Sequence, residues 1–344
     1  MSQYPEHARP LCPLCGTERI RQRGAKRCVK CARDPHWHDR DADNSSQIAK
    51  GYEWAWAEWQ RYVRASSERY TGPAKRPVKV GRQKILVASD LHIPFHERAA
   101  VADLFHLTAD ADLAIFAGDL QDSYAISKFR KYEHVPLETE LAELTLFLEQ
   151  ASQTWPRVLL LEGNHGLARF QKQLLDRLPE EMIKAVQFLA GGNLSLLAAC
   201  ARRFPNVSIA ATKVGTHAVD WLYQQGDLVV CHAEKFSIVP GSAMRKLEEW
   251  LSDMSPSLGL APFRVVLQAH THQQSAFLWH GGERLLMETM CLSGLHGYQL
   301  EARCSGRPQA RGWITLDQCD GVTDPNSIRA FNWDLEQGFR RAVA

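Results

Sequence analysis

No stretch of this sequence reaches the ~18 consecutive apolar residues that a membrane-spanning helix needs. The first residues, MSQYPEHARP, are polar and contain proline, with no apolar core of a signal peptide. There is no internal repeat and no low-complexity segment, which excludes a repeat architecture. Cysteine is scarce beyond the N-terminus: nine in all, an odd number, with four in the first 31 residues. A secreted disulfide framework needs dense, paired cysteines. A reducing, cytoplasmic setting without a membrane partner is therefore expected. What is present is the material of a globular chain, 344 residues of which 45% are hydrophobic and 23% charged. That is enough to bury a core without staples.

The net charge of +2 hides an asymmetry. Residues 1–84 hold 18 Lys and Arg against 9 Asp and Glu, a net of +9. Residues 85–344 hold 23 against 30, a net of −7. A basic N-terminal part on an acidic body hints at contact with a polyanion. Within it, residues 44–66 show helical periodicity, with Ile48, Tyr52, Ala55, Trp56, Trp59, Tyr62 and Val63 on one face. Trp54 falls outside that stripe, between Lys50 and Arg61, and is a candidate for stacking on bases. A basic linker from Thr71 to Lys84 follows.

The pattern then becomes alternating strands and helices, which implies a largely parallel sheet. Apolar runs stand at 85–89, 113–117, 157–161, 207–211, 218–223, 227–231, 264–269, 275–279, 284–288 and 312–316. Helices are expected at about 97–109, 122–131 and 138–152, and through 166–204.

The chemistry sits where the runs end. The first ends in Ser89-Asp90-Leu91-His92 and the second in Gly118-Asp119-Leu120-Gln121-Asp122. The third ends in Gly163-Asn164-His165, the run at 227–231 in His232, and the run at 264–269 in His270-Thr271-His272. The ends of parallel strands gather on one sheet edge, where ligands bind. Asp90 and His92 are two apart, as are His270 and His272, so in extended backbone each pair would point the same way. Carboxylate and neutral imidazole suit Mn, Fe, Zn or Ni better than Ca or Mg. There are more donors than one ion needs, which suits two ions bridged by a carboxylate.

These five motifs, in this order, resemble the signature of the calcineurin-like metallophosphoesterases, over about residues 85–290. The resemblance implies a sandwich of two mixed β-sheets flanked by helices. It implies one metal held by Asp90, His92 and His272, another by Asn164, His232 and His270, and Asp119 bridging both. His165 resembles the family's catalytic histidine and Asp122 the carboxylate that orients it. The reaction implied is hydrolysis of a phosphoester through a metal-bridging hydroxide, with Mn the first expectation for both metals. Gly166, Cys231 and Ala269 depart from common residues of the pattern without removing a ligand. Ser123-Tyr124 stands where phosphoprotein phosphatases carry an Arg, which weakens that reading. His96, His106, His134, His217 and His280 match no motif and are expected to be structural.

Cys12-x-x-Cys15 and Cys28-x-x-Cys31 have the spacing of a closed, structural four-thiolate zinc site; His36 and His38 are nearby. Arg19, Arg21, Arg23, Lys26, Arg27, Lys30 and Arg33 surround it. Such basic ribbons resemble those fused to phage and prophage enzymes, so nucleic acid is an expected partner of residues 1–84. The expected organisation is a zinc-ribbon-like module at 1–40, a Trp-rich helix and linker at 41–84, a catalytic domain at 85–320 with a helical cap at about 166–226, and a tail at 321–344. Arg169, Lys172, Arg202, Arg203, Lys213 and Lys235 are candidates to meet further phosphates, and His296 to line the pocket. A nucleotide or nucleic-acid phosphoester is the favoured substrate. The alternatives are a phosphoprotein or small-molecule phosphatase, a scaffold that has lost turnover, or a nucleic-acid-binding adaptor with secondary hydrolase activity.

Overall fold

The computed structural model describes residues 81–128, 131, 134–189, 194–210, 212–214, 217–234, 237, 239–294 and 309–337. Cys12, Cys15, Cys28, Cys31, the segment at 44–66 with Trp54, and the later Lys235 and His296 lie outside the described residues.

Strand β1 (Arg82–Ala88) leads to helix α1 (Arg98–Leu107), β2 (Leu113–Ala117), α2 (Leu137–Thr154) and β3 (Val158–Leu161). Three short helices follow: α3 (Leu167–Gln173), α4 (Glu180–Leu189) and α5 (Leu196–Ala201). Next come β4 (Val207–Ile209), β5 (Thr212–Val214), β6 (His217–Val219), β7 (Leu222–Gln225) and β8 (Leu228–Cys231). Helix α6 (Ser242–Leu258) precedes β9 (Val265–Gln268), β10 (Gln274–Trp279) and β11 (Arg284–Thr289). The described chain closes with β12 (Gly312–Cys319), β13 (Val322–Thr323) and β14 (Arg329–Asn332).

Two mixed sheets result. The first runs β13-β12-β1-β2-β3-β4, with β14 also on β12. Its β1, β2, β3 and β4 are parallel and β12 is antiparallel. The second runs β10-β11-β9-β8-β7, parallel at its centre and antiparallel at both edges. β5 and β6 form a separate pair.

The apolar runs of β2 (LAIFA) and β3 (VLLL) are buried throughout because both faces are covered. On one face Ile85, Val87, Leu113 and Ile115 share a core with Leu228, Val230, Val265 and Leu267 of the other sheet. This is the inner layer of a sandwich. Behind the first sheet, Phe116 meets Phe147 edge to face at 5.1 Å, and Phe105 stacks on Trp155 at 4.8 Å. The Trp155 indole N–H donates to the Thr108 carbonyl at 2.9 Å, so the ring is buried without an orphan donor. Behind the second sheet, Met244, Leu247 and Leu251 of α6 pack on Val229, Val266 and Leu286. Among the described residues no helix is long and apolar enough to cross a membrane.

The structure differs from the expectations at several boundaries. β1 starts at Arg82, since its polar start is satisfied by β12: Arg82 pairs with Asp317 at 2.6 Å. The helix expected at 122–131 is reduced to one turn, Tyr124–Ile126, after Ser123 takes a left-handed φ of 51°. The helical stretch at 166–204 is broken into α3, α4 and α5; Pro179, without an amide hydrogen, precedes the restart at Glu180. The cap expected to reach residue 226 is helical only to Ala201: β4 joins the first sheet and β7 the second. The run at 218–223 divides into β6 and β7 around a turn at Asp220–Trp221. The expected tail at 321–344 contains β13 and β14, which pair with β12.

Candidate active site

The five motifs meet at one end of the sandwich, in loops that leave β1, β2 and β3 of the first sheet and β8 and β9 of the second. The loops are tied together by backbone. Asp90 N–H donates to Gly118 O at 3.1 Å, His92 N–H to Asp119 O at 2.9 Å, and His232 N–H to Trp221 O at 2.8 Å. Asp90, His92, Asp119, Ser123, His270 and His272 all have positive φ, between 46° and 76°. The expectation that Asp90/His92 and His270/His272 align by strand alternation is therefore corrected. The strands have ended, and tight left-handed turns aim the side chains inward. Each such residue costs about 1–3 kcal/mol, held by the surrounding packing.

Two glycines of the motifs are required by close approach. A Cβ on Gly118 (φ 85°) would meet His232 Nδ1 at 2.3 Å, and one on Gly163 would meet Asp119 Oδ1 at 2.1 Å. The departure at Gly166 also has a reason: a Cβ there would meet Glu162 Oε2 at 2.2 Å.

Three sets of donor atoms converge among the described residues: Asp90, His92 and His272; Asp119, His232 and His270; and His92, Asp122 and His165. Within the first, His272 Nε2 lies 3.2 Å from Asp90 Oδ1 and 3.2 Å from His92 Nε2. Within the second, His232 Nε2 lies 3.2 Å from Asp119 Oδ2, and the Asn164 Oδ1 amide oxygen joins it at 3.2 Å. Asp119 Oδ2 is also 3.9 Å from His92 Nε2 and 4.0 Å from His165 Nε2, so it stands between the sets. Its other oxygen accepts the His165 backbone N–H at 2.8 Å. In the third set Asp122 Oδ1 faces His165 Nδ1 at 2.6 Å and His92 Nδ1 at 2.9 Å.

The cluster fits divalent cations. Asp90 Oδ1 is fully buried and receives no hydrogen bond, and two imidazole nitrogens confront each other at 3.2 Å. The outer ring nitrogens are engaged: His92 Nδ1 with Asp122 Oδ1 at 2.9 Å, His272 Nδ1 with the Gln309 amide at 2.7 Å, and His232 Nδ1 with Ala117 O at 2.8 Å. Outer partners of this kind fix which ring nitrogen points at a metal. The clustered His and Asp groups are consistent with a dinuclear site.

Charge reinforces the arrangement. Burial would push the Asp119 and Asp90 carboxyls up, but the surrounding histidines hold both below the usual carboxylate range. For Asp122 burial is likewise outweighed, here by hydrogen bonds from His165 and His92. Burial lowers His232 less than Asp119 and Asp90 raise it, and it reaches about 9; at His270 burial and the nearby His232 outweigh the same two carboxylates, and it falls to about 4.

Three supporting residues were not visible in the sequence as such. Gln309 backs His272. Glu140, on α2, accepts the backbone N–H groups of Ser123 and Tyr124 and so fixes the loop after Asp122. Glu162 accepts from Leu167 N–H at 3.2 Å and from the Ser195 hydroxyl. Arg169, expected to meet phosphate, instead donates to the Asp122 carbonyl at 2.6 Å. Lys172, Arg202 and Arg203 are exposed. His106 and His134 are exposed, His280 faces Glu248 at 3.2 Å, and buried His96 is outside the three sets.

Beside Asn164 and His232 opens a cavity of about 750 Å³, bounded by α3, the Asp220–Trp221 turn and α6.

Solved structures with a similar chain path include a metallophosphoesterase from Sphaerobacter thermophilus (14% identity, 75% of this chain and 94% of that one, TM-score 0.31). Another is a protein serine/threonine phosphatase from Saccharomyces cerevisiae (10% identity, 82% and 90%, TM-score 0.33). A third is Vps29 from Chaetomium thermophilum (10% identity, 72% and 96%, TM-score 0.34). No curated protein matches the chain. The sequence model of the calcineurin-like phosphoesterases matches residues 83–297, more than half of the chain, and takes in all five motifs. This chain belongs to the calcineurin-like phosphoesterase family and is a metal-dependent hydrolase of phosphoric esters.

Proposed function

We propose that Asp90, His92 and His272 hold one divalent ion, that Asn164, His232 and His270 hold a second, and that Asp119 bridges them. The observation that carries this reading is the position of Asp119 Oδ2 between the two sets, close to His232 and within reach of His92. When bound, the ions, Mn first and Fe, Zn or Ni as alternatives, supply Lewis acidity and a water-derived nucleophile at neutral pH.

The chain's own residues do the rest. Asn164 offers a neutral oxygen, which leaves its ion more electron-poor than a carboxylate would. His165 stands outside the two ligand sets, with Nδ1 on Asp122 and Nε2 free of that bond. It delivers a proton from Nε2 to the departing alkoxide oxygen. Asp122 fixes the ring, and Arg169 and Glu140 fix the Asp122 loop.

The substrate we infer is a nucleotide or nucleic-acid phosphoester. Its support is the +9 charge of residues 1–84, together with the Cys12, Cys15, Cys28 and Cys31 spacing of a structural zinc site, assigned to residues 1–40. Metal analysis of the purified protein after mild chelation should find one retained zinc. Substituting Cys28 and Cys31 by Ser should remove it. With Mn added, a nucleoside monophosphate, a cyclic nucleotide and a phosphopeptide are compared as substrates; turnover of the phosphopeptide alone would overturn the nucleotide reading. Oligonucleotide binding by the full chain should fall steeply with salt, as counterion release requires. Binding that ignores salt, or that survives Gln at Arg21, Arg23, Lys26 and Arg27, would assign the N-terminal part another task.

A further inference from the structure

The cavity beside Asn164 and His232 has a chemical character distinct from that of the His and Asp cluster. At about 750 Å³ it is of the size that takes a small organic ligand. Its walls carry two indoles, Trp221 and Trp250, with ring centroids 5.8 Å apart and planes tilted by 39°. Leu167 and Leu247 add apolar surface. Trp250 is 39% exposed, unusual for so large an apolar side chain, and it sits on α6 with its ring toward the cavity. Trp221 is fastened to the cluster through its carbonyl, which accepts His232 N–H.

The polar groups of the wall are of both signs. Among the described residues of the wall, Asp220 and Glu234 present carboxyl groups beside the ammonium of Lys246 and the His232 ring, while the Glu162 oxygens already accept from Leu167 and Ser195. None of Arg169, Lys172, Arg202 or Arg203 lines the cavity. Such a wall offers hydrogen-bond acceptors to a ligand. It welcomes a flat ring that can lie on an indole face and present N–H groups to carboxylate oxygens. An amino-bearing nucleobase has both properties: every base has a π-face, and its exocyclic amine donates, joined in guanine by the ring N1–H. An aliphatic alcohol has no ring to lay on an indole, and a sugar has no aromatic face and no N–H donor.

We propose that this cavity is a base-recognition pocket, in which the nucleobase of the ester substrate lies against Trp250 and Trp221 and its N–H groups meet the carboxylates of Asp220 and Glu234. The proposal rests on the phosphoesterase reading only for why a base is brought there. Asn164 and His232, which line the cavity, belong to the proposed donor set, so the esterified phosphate of a base held there would face any ions that set binds. Trp221 and Trp250 are then specificity residues and His165 remains the catalytic one.

The test uses nucleosides, which have no phosphate and need no turnover. Adenosine and guanosine are titrated into the full-length protein by calorimetry, with choline and D-ribose as controls. At least one nucleoside should bind, and Trp250→Ala should weaken it by about tenfold, the scale of one lost stacking contact. Trp250→Phe, which keeps an aromatic face, should recover most of that loss. Failure of both nucleosides to bind, equal affinity in Trp250→Ala, or binding of choline in place of the nucleosides would overturn the pocket. These outcomes separate from those of the wider reading. Hydrolysis of nucleotide esters without nucleoside binding sinks the pocket alone, whereas nucleoside binding without hydrolysis of any phosphoester counts against the hydrolase assignment and leaves the pocket standing.

Discussion

Asp122 Oδ1 lies 2.6 Å from His165 Nδ1, and the Asp122 carbonyl is itself held by Arg169. The carboxylate stays ionised because hydrogen bonds from His165 and His92 overcome its burial. Asp122→Asn keeps the shape and removes the charge that orients the ring. Turnover should fall by about 10²-fold or more, with a smaller change in bound metal measured on the same sample. Unaltered turnover would separate Asp122 from the chemistry.

His165→Ala tests whether this residue handles protons or holds metal. The expected loss is about 10²–10⁴ in turnover, with both metal ions retained. Loss of one ion per chain, and normal turnover per remaining complete site, would make His165 a ligand.

Removing Asp119 should do more. Asp119→Ala takes away the carboxylate oxygen nearest His232 and the acceptor of the His165 backbone N–H. Activity and metal content should disappear together. In the unaltered protein, chelation should abolish hydrolysis and Mn should restore it. Normal turnover of Asp119→Ala with two ions bound would refute the bridge.

Gly163→Ala probes the crowding beneath the cluster. The added methyl would stand 2.1 Å from Asp119 Oδ1, so the carboxylate or the loop must move. Overpacking of this kind costs about 1–3 kcal/mol, visible as a lowered midpoint in denaturant. Metal affinity should fall as well, because the displaced group is Asp119. A variant with unchanged metal affinity would show that the loop absorbs the methyl elsewhere.

Away from the site, Glu143 on α2 links stability to pH. It is 1% exposed, and burial raises its carboxyl to about 7 although Arg98, 3.7 Å away, draws it down. In the unfolded chain the same group titrates near its ordinary 4.5. Between those values the folded state keeps a proton that the unfolded state has released. This contribution is therefore full below about 4.5 and is lost as pH rises to about 7. Glu143→Gln should flatten the decline between about pH 5 and about pH 7.5 by on the order of 1–3 kcal/mol, read from denaturant unfolding. Equal declines in both proteins would mean that Glu143 is ionised when folded.

The site could be read from the sequence because each motif joins an apolar run to a residue type with metal or proton chemistry. Asp90, Asp119, Asn164, His232 and His270 each follow a strand within three residues. The conformation that makes them converge could not be read. Extended spacing suggested alignment, yet His92 and His272 reach each other through left-handed turns fixed by contacts between distant loops. Gln309 was invisible for a related reason: nothing near it in sequence marks a partner 37 residues away. Glu140 looked like any acidic residue in the first turn of a helix, and its burial depends on where the Ser123 turn comes to lie. Arg169 advertised charge, which in the fold is spent on the Asp122 loop. β13 and β14 are two and four residues long, too short for their pairing with β12 to leave a periodic trace.

The proposed donor set is drawn from both sheets: Asp90, Asp119 and Asn164 follow strands of the first, His232, His270 and His272 strands of the second. Ions held there would fasten the open end of the sandwich like a clasp, adding strong bonds across a seam otherwise closed by apolar contact and by hydrogen bonds such as those of His232 Nδ1 to Ala117 O and His270 N–H to Asp90. Metal supply would then govern endurance as well as rate. Each ion bound only by the folded chain raises its stability with the logarithm of free metal, and starvation for metal would loosen the seam between the layers before it affected either sheet.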